Sequence, residues 1–111
     1  MERKDEKLTS IIRDEAATFI ETHADIPPGV FLTATHVMLS PDHHFADVFI
    51  SIYPTGRIGI FLNKFRTWQH AFNVYARETL RLKNIPAVRF KLDDTELKQE
   101  RIENLLEGGG K

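Results

Sequence analysis

The chain of 111 residues contains no cysteine. Disulfide frameworks, thiol nucleophiles, zinc knuckles and iron–sulfur ligation are excluded together. Long apolar runs are lacking too: the longest extend only a few residues, too short to cross a bilayer. The opening segment Met1-Glu2-Arg3-Lys4-Asp5-Glu6-Lys7 mixes both charge signs and leads into no apolar stretch. It therefore reads as neither a secretory signal nor an acid-poor transit peptide, and a cytoplasmic location without membrane attachment is expected. What is present is 41% apolar and 28% charged residues, enough for one core and too apolar for disorder. One domain over residues 1–111 is expected, with its core at about 6–92 and a polar or flexible tail at 93–111.

A large excess of one charge sign is also missing, since 15 basic residues face 16 acidic ones. The distribution is nevertheless uneven. Between Arg57 and Lys91 stand eight cations, Arg57, Lys64, Arg66, Arg77, Arg81, Lys83, Arg89 and Lys91, against the single acid Glu78. Such segregation is the footprint of an anionic partner; the plainer reading is chance clustering on a solvated surface.

Hydrophobic periodicity predicts the elements. Leu8, Ile11, Ile12, Ala16, Phe19 and Ile20 recur at helical steps, predicting an amphipathic helix over residues 6–22 that Pro27-Pro28-Gly29 cannot continue. Val30–Leu39 and Phe45–Tyr53 read as strands joined by the turn Ser40-Pro41-Asp42-His43-His44. In the second strand Ala46, Val48, Ile50 and Ile52 alternate with Phe45, Asp47, Phe49 and Ser51, the period of a sheet with one well-buried face. Phe61, Phe65, Trp68, Phe72 and Tyr75 then step by fours and threes along a helix over residues 58–82, with Trp68 expected to be its partly exposed member. Asn84-Ile85-Pro86 stops that helix, and Ala87–Leu92 is a third strand with Val88, Phe90 and Leu92 on one side. The tail carries one helical stub around Ile102, Leu105 and Leu106. The class is α+β: three strands covered on one face by helices.

On a helical wheel the five aromatics of residues 58–82 cluster within roughly 40° of one direction, and Arg66, His70, Arg77 and Arg81 fall on the opposite side. One face thus packs a core while the other presents guanidiniums and an imidazole in a line. Arginine suits phosphate because its planar fork donates two parallel hydrogen bonds to one anion. Lys64, Lys83, Arg89 and Lys91 extend the patch, so phosphate of RNA is the expected partner. An acidic protein or an anionic membrane surface is the alternative, weakened for lipid because the aromatic stripe is committed to the core.

Other motifs carry less. The five histidines, His23, His36, His43, His44 and His70, show no metal-ligand spacing, and no metal or cofactor is implied. Ser40, Asp42 and His43 match a catalytic triad in composition only, and no enzymatic activity is expected. Gly56-Arg57-Ile58-Gly59 spells the GxxG of RNA-binding KH domains, but it follows a strand and reads as the turn into the helix. A general single-strand RNA binder of KH type would need that loop between two helices.

Two segments resemble a known family. His36-Val37-Met38-Leu39-Ser40-Pro41-Asp42-His43-His44-Phe45-Ala46-Asp47-Val48-Phe49-Ile50-Ser51 resembles the hairpin of bacterial ribosome-binding factor A. Leu80-Arg81-Leu82-Lys83-Asn84-Ile85-Pro86-Ala87-Val88-Arg89-Phe90, followed by Asp93 or Asp94, Arg101-Ile102 and Leu105-Leu106, resembles that family's ending. The resemblance covers roughly residues 6–106. It implies a KH type II-like domain of order α-β-β-α-α-β and a non-enzymatic, monomeric factor. Such a factor binds 16S ribosomal RNA in the immature small (30S) subunit, supports maturation of the RNA 5′ end and matters most in the cold. The binding residues expected, from the charge pattern and the helical wheel rather than from the resemblance, are Lys64, Arg66, His70, Arg77, Arg81, Lys83 and Arg89. Two features depart from the family. Its Ala-x-Gly kink is replaced by Trp68-Gln69-His70, with the usual arginine falling near Asn73, and its loop after the first helix is replaced by Ala24–Gly29. Whether the middle helix is one rod or kinked at Trp68-Gln69-His70 stays open on the residues alone.

Overall fold

The computed structural model describes residues 3–80 and 84–108, with side chains described for residues 5–80 and 84–107. The expectations for Arg81 and Lys83 lie outside the described residues. Helix α1 (Arg3–His23) carries Asp5 and Glu6 in its first turn, charges that suit the helix dipole. Its apolar stripe faces the core: Ile12, Ala16, Phe19 and Ile20 are each at most 2% exposed, while Leu8 and Ile11 are half-buried. A turn through Gly29, at φ +85°, leads into strands β1 (Phe31–Leu39) and β2 (Phe45–Tyr53), which pair antiparallel. The connecting turn is fastened by side chains. Asp42 Oδ1 accepts from the Ser40 hydroxyl at 2.6 Å and from the His44 backbone N–H at 3.0 Å, and the Ser40 hydroxyl oxygen accepts from the Phe45 N–H at 3.0 Å. These bonds, the Ser40 hydroxyl first, hold the Asp42 carboxyl below its ordinary pKa. Ser40 and Asp42 are therefore a turn motif.

A short 3₁₀ turn (Thr55–Arg57) and helix α2 (Ile58–Leu62) follow, so Gly56 and Gly59 open a helix after a strand, as their context predicts. The middle helical segment is neither one rod nor kinked at Trp68-Gln69-His70. It breaks earlier, at Asn63-Lys64, before helix α3 (Phe65–Thr79). Asn63 is a weak helix former whose amide competes for backbone partners, which makes it a suitable place to interrupt the ladder. Helix α3 also stops three residues short of the expected end, with Leu80 extended at ψ 116°. Strand β3 (Ala87–Leu92) pairs parallel to β2, giving a mixed sheet of order β1-β2-β3.

Helices α1, α2 and α3 cover one face of this sheet. Against Ala46, Val48, Ile50 and Ile52 of β2 and Val88 and Phe90 of β3 they bury Phe19, Ile58, Phe61, Phe65, Trp68, Phe72 and Ala76. Trp68, 9% exposed, lies in the core beside Phe61 and Phe65 at ring-centroid distances of 6.2 and 6.0 Å. The partly exposed member of the stripe is instead Tyr75, whose hydroxyl donates to Glu15 Oε2 of α1 at 2.9 Å. That bond raises the Tyr75 pKa above its ordinary value.

The tail is more ordered than a stub: helix α4 spans Thr95–Gly108. Asp93 starts it. Its Oδ1 accepts from the backbone N–H and the hydroxyl of Thr95 at 3.0 and 2.6 Å, and its Oδ2 accepts from the Thr35 hydroxyl of β1 at 2.6 Å. The Thr35 bond first and the Thr95 bond second hold the Asp93 carboxyl below its ordinary pKa. Folding therefore favours the ionised form. This contribution is complete above the unfolded-state value of about 4 and is lost as pH falls through the lower folded value. Asp93→Ala is expected to cost about 1–2 kcal/mol in urea unfolding at neutral pH, with the gap from wild type shrinking in acid. A gap unchanged in acid would refute the assignment.

Candidate nucleic-acid interface

Helix α3 is oriented by its buried side. With Phe65, Trp68, Phe72 and Ala76 held in the core, Arg66, His70 and Arg77 are exposed on the outward face. The three fall within roughly 40° of one another about the helix axis, over a rise of about 16 Å. Among the described residues none of them has a carboxylate within ion-pair distance. Arg77 Nε donates to the Asn73 carbonyl at 3.3 Å, which lays the guanidinium along its own helix. Lys64 sits at the α2–α3 break with its ammonium 5.7 Å from the Phe61 ring centroid, exposed at the head of the line. A groove of about 360 Å³ runs beside the line, walled by His70, Asn73 and Arg77 on α3 and by Ile85, Pro86 and Ala87 on the segment entering β3.

The expectation for Arg89 requires correction. Strand parity puts Val88 and Phe90 inward, so Arg89 and Lys91 project from the sheet face that α3 does not cover. There Arg89 Nε donates to Asp47 Oδ1 at 2.7 Å, and Lys91 Nζ lies 3.6 Å from Asp47 Oδ2. Arg89 therefore does not extend the α3 line.

Two residues that position the line escaped the sequence reading. Asn73 Nδ2 donates to the Val88 carbonyl at 3.0 Å while its Oδ1 accepts from the Val88 N–H at 2.8 Å. Gln69 Oε1 accepts from the Phe90 N–H at 3.0 Å. These side chains, one turn apart on α3, satisfy the outer edge of β3 and clamp the helix against it. Their spacing of four on the flank of the aromatic stripe is the only signal the sequence carries for this.

The histidines form no metal centre among the described residues. His43, at φ 61°, places Nε2 3.5 Å from Asp5 Oδ2 of α1, and His44 pairs with Asp42 at 3.4 Å. No helix among the described residues is long and apolar enough to cross a membrane.

The profile of the ribosome-binding factor A family matches residues 4–106. The chain belongs to this family. The ribosome-binding factor A of Chlamydia felis is 34% identical over 107 residues, covering 94% of this chain and 89% of that one. The crystal structure of ribosome-binding factor A from Thermus thermophilus superposes with a TM-score of 0.53 at 22% identity, over 78% of this chain and 92% of that one. A homology model of the Thermus thermophilus factor, fitted into a map of its complex with the 30S subunit, gives 0.50 at 23% identity over 77% and 90%. The α+β architecture with a three-stranded mixed sheet is thus that of ribosome-binding factor A, a KH-like fold.

Proposed function

We propose that the protein binds the small ribosomal subunit during its assembly and contacts 16S ribosomal RNA through the outward face of α3. The observation that carries this reading is the line of Arg66, His70 and Arg77, free of carboxylate partners among the described residues, in a chain of the ribosome-binding factor A family. Lys64 heads the line, and Arg81 and Lys83 follow α3 in the sequence. The protein acts as a monomer in the cytoplasm and without catalysis, by gripping phosphates and RNA shape. Support of 5′-end maturation and of growth in the cold is the role that membership of this family implies.

Co-sedimentation with purified small and large subunits tests the reading. Binding is expected to small subunits alone and to fall steeply with salt; about four phosphate contacts give a log–log slope near −3. Arg66→Glu/Arg77→Glu should weaken binding by at least about tenfold, because two attractive contacts become repulsive, with an unchanged thermal melt. Equal binding to both subunits, or a flat salt response, would overturn the proposal. A collapsed melt would show that the face is structural.

A further inference from the structure

Helix α4 has two opposite sides of different character. The inner side meets the domain near the helix start, where Leu97 packs against the core and the Glu100 carboxylate accepts from the Thr55 hydroxyl at 2.7 Å. From Arg101 to Glu107 every side chain is exposed. At about 100° per residue, Ile102, Leu105 and Leu106 fall on the side roughly opposite Leu97 and Glu100. An apolar stripe thus points away from the domain, and each of its members is more than half exposed.

One rim of this stripe is acidic. Glu96, Glu100, Glu103 and Glu107 recur at steps of four, three and four, which sets them in a line within about 60° on the flank beside Leu106. From Asp93 to Glu107 six acids stand against two bases, and one of those bases, Lys98, lies 3.5 Å from Asp94. Among the described residues Glu96, Glu103 and Glu107 have no cation within ion-pair distance. Such a line repels RNA phosphates and anionic lipid headgroups, so neither suits the stripe. A cationic polypeptide does, because its charges complement the rim. Anchors at i, i+3 and i+4 are those by which a helix enters an apolar groove. Three side chains are too few to hold a partner alone, since a stable interface buries roughly 800 Å² on each side. They suffice where another contact has already brought the partner close and raised its effective concentration.

We propose that the outer face of α4 docks into an apolar groove on a basic protein of the small ribosomal subunit. The proposal rests on the preceding reading for the subunit itself. There the α3 face grips RNA; here α4 reaches a protein beside that RNA.

The test uses the full chain with the photoreactive residue p-benzoylphenylalanine at position 105, bound to purified small subunits, irradiated and sedimented. The crosslink should survive ribonuclease and be lost to protease, and mass spectrometry should place it in a segment of net positive charge. Leu105→Ala/Leu106→Ala preserves helix propensity and should lower subunit affinity about tenfold. Glu103→Lys/Glu107→Lys should weaken binding as well, whereas beside RNA the same exchange would tighten it. Both variants change exposed positions, so unchanged thermal melts serve as the folding control. Co-sedimentation with a crosslink to RNA alone, to an acidic segment, to a second copy of this chain or to nothing would overturn the proposal and leave the α3 reading standing. So would an alanine variant that binds like wild type, or a lysine variant that binds more tightly. Failure of the wild-type chain to co-sediment would overturn the α3 reading, and this one with it.

Discussion

Phe72→Ala is expected to be the most damaging single truncation, lowering stability by about 3–5 kcal/mol. Phe72 is fully buried at the point where both helices meet the sheet. Its ring meets Phe19 of α1 edge-on at 5.4 Å, Phe90 of β3 at 5.8 Å and Tyr75 at 6.0 Å. Because Phe19 and Phe90 are anchored by different elements, collapse around the missing ring would require α1 to move against β3. The cavity therefore persists, and its cost adds to the lost transfer energy. In a domain whose total stability is about 5–15 kcal/mol this is a large fraction. Urea titration followed by far-ultraviolet dichroism would read it as a lower midpoint. Phe72→Leu, which leaves less empty volume, should fall between the two. A loss below about 1 kcal/mol for the alanine variant would mean that the helices are not locked through this ring.

Asn73→Leu is expected to cost about 2–4 kcal/mol, through polarity rather than volume. The Asn73 amide meets both polar groups of one peptide edge, and leucine leaves the Val88 N–H and carbonyl without partners in a half-buried site. Each orphaned group costs about 1–3 kcal/mol, so the change is comparable to that of a core mutation. Asn73→Asp keeps an acceptor for the N–H but sets a carboxylate against the Val88 carbonyl, and should also destabilise. Gln69→Leu removes one bond and should cost less than Asn73→Leu. Loss of the clamp also opens β3 to pairing with other chains, so light scattering should rise on warming before the melt is complete. Melts indistinguishable from wild type would show that water replaces the amide without cost.

Much of this fold was legible because burial is one-sided. The alternation in β2 and the stripe of α1 each follow from where apolar side chains recur, and the structure buries those residues apart from Leu8 and Ile11, which are half-buried. The break at Asn63-Lys64 was not legible, since the aromatic steps run through it unbroken and no glycine or proline marks it. The bulge in β1 left a trace. Leu32 and Ala34 share a phase with the core, Val37 and Leu39 the opposite phase, and the register shift between Ala34 and His36 reconciles them. For Arg89 the information was present but unused: the parity that turns Val88 and Phe90 inward sends Arg89 to the far side of the sheet from α3. Charge counts along a chain sum over faces that the fold separates. The part played by Asn73 is the reverse case. Apart from its spacing of four from Gln69 nothing in the sequence marks it, and only the nearby edge of β3 explains an amide there.

Helix α4 has a consequence for how the molecule opens. Leu97 packs against the core and Glu100 accepts from the Thr55 hydroxyl at 2.7 Å, but Ile102, Leu105 and Leu106 are 57%, 72% and 78% exposed. Little apolar surface is lost when the outer turns of α4 fray, whereas releasing β2 exposes a strand whose Ala46, Val48 and Ile50 are fully buried. Amide hydrogen exchange should therefore divide the chain into two classes. Protons beyond Glu100 should exchange through local opening that urea hardly accelerates, while those of β2 should wait for global unfolding. The molecule thus has one cooperative unit with a helix whose far end melts on its own account.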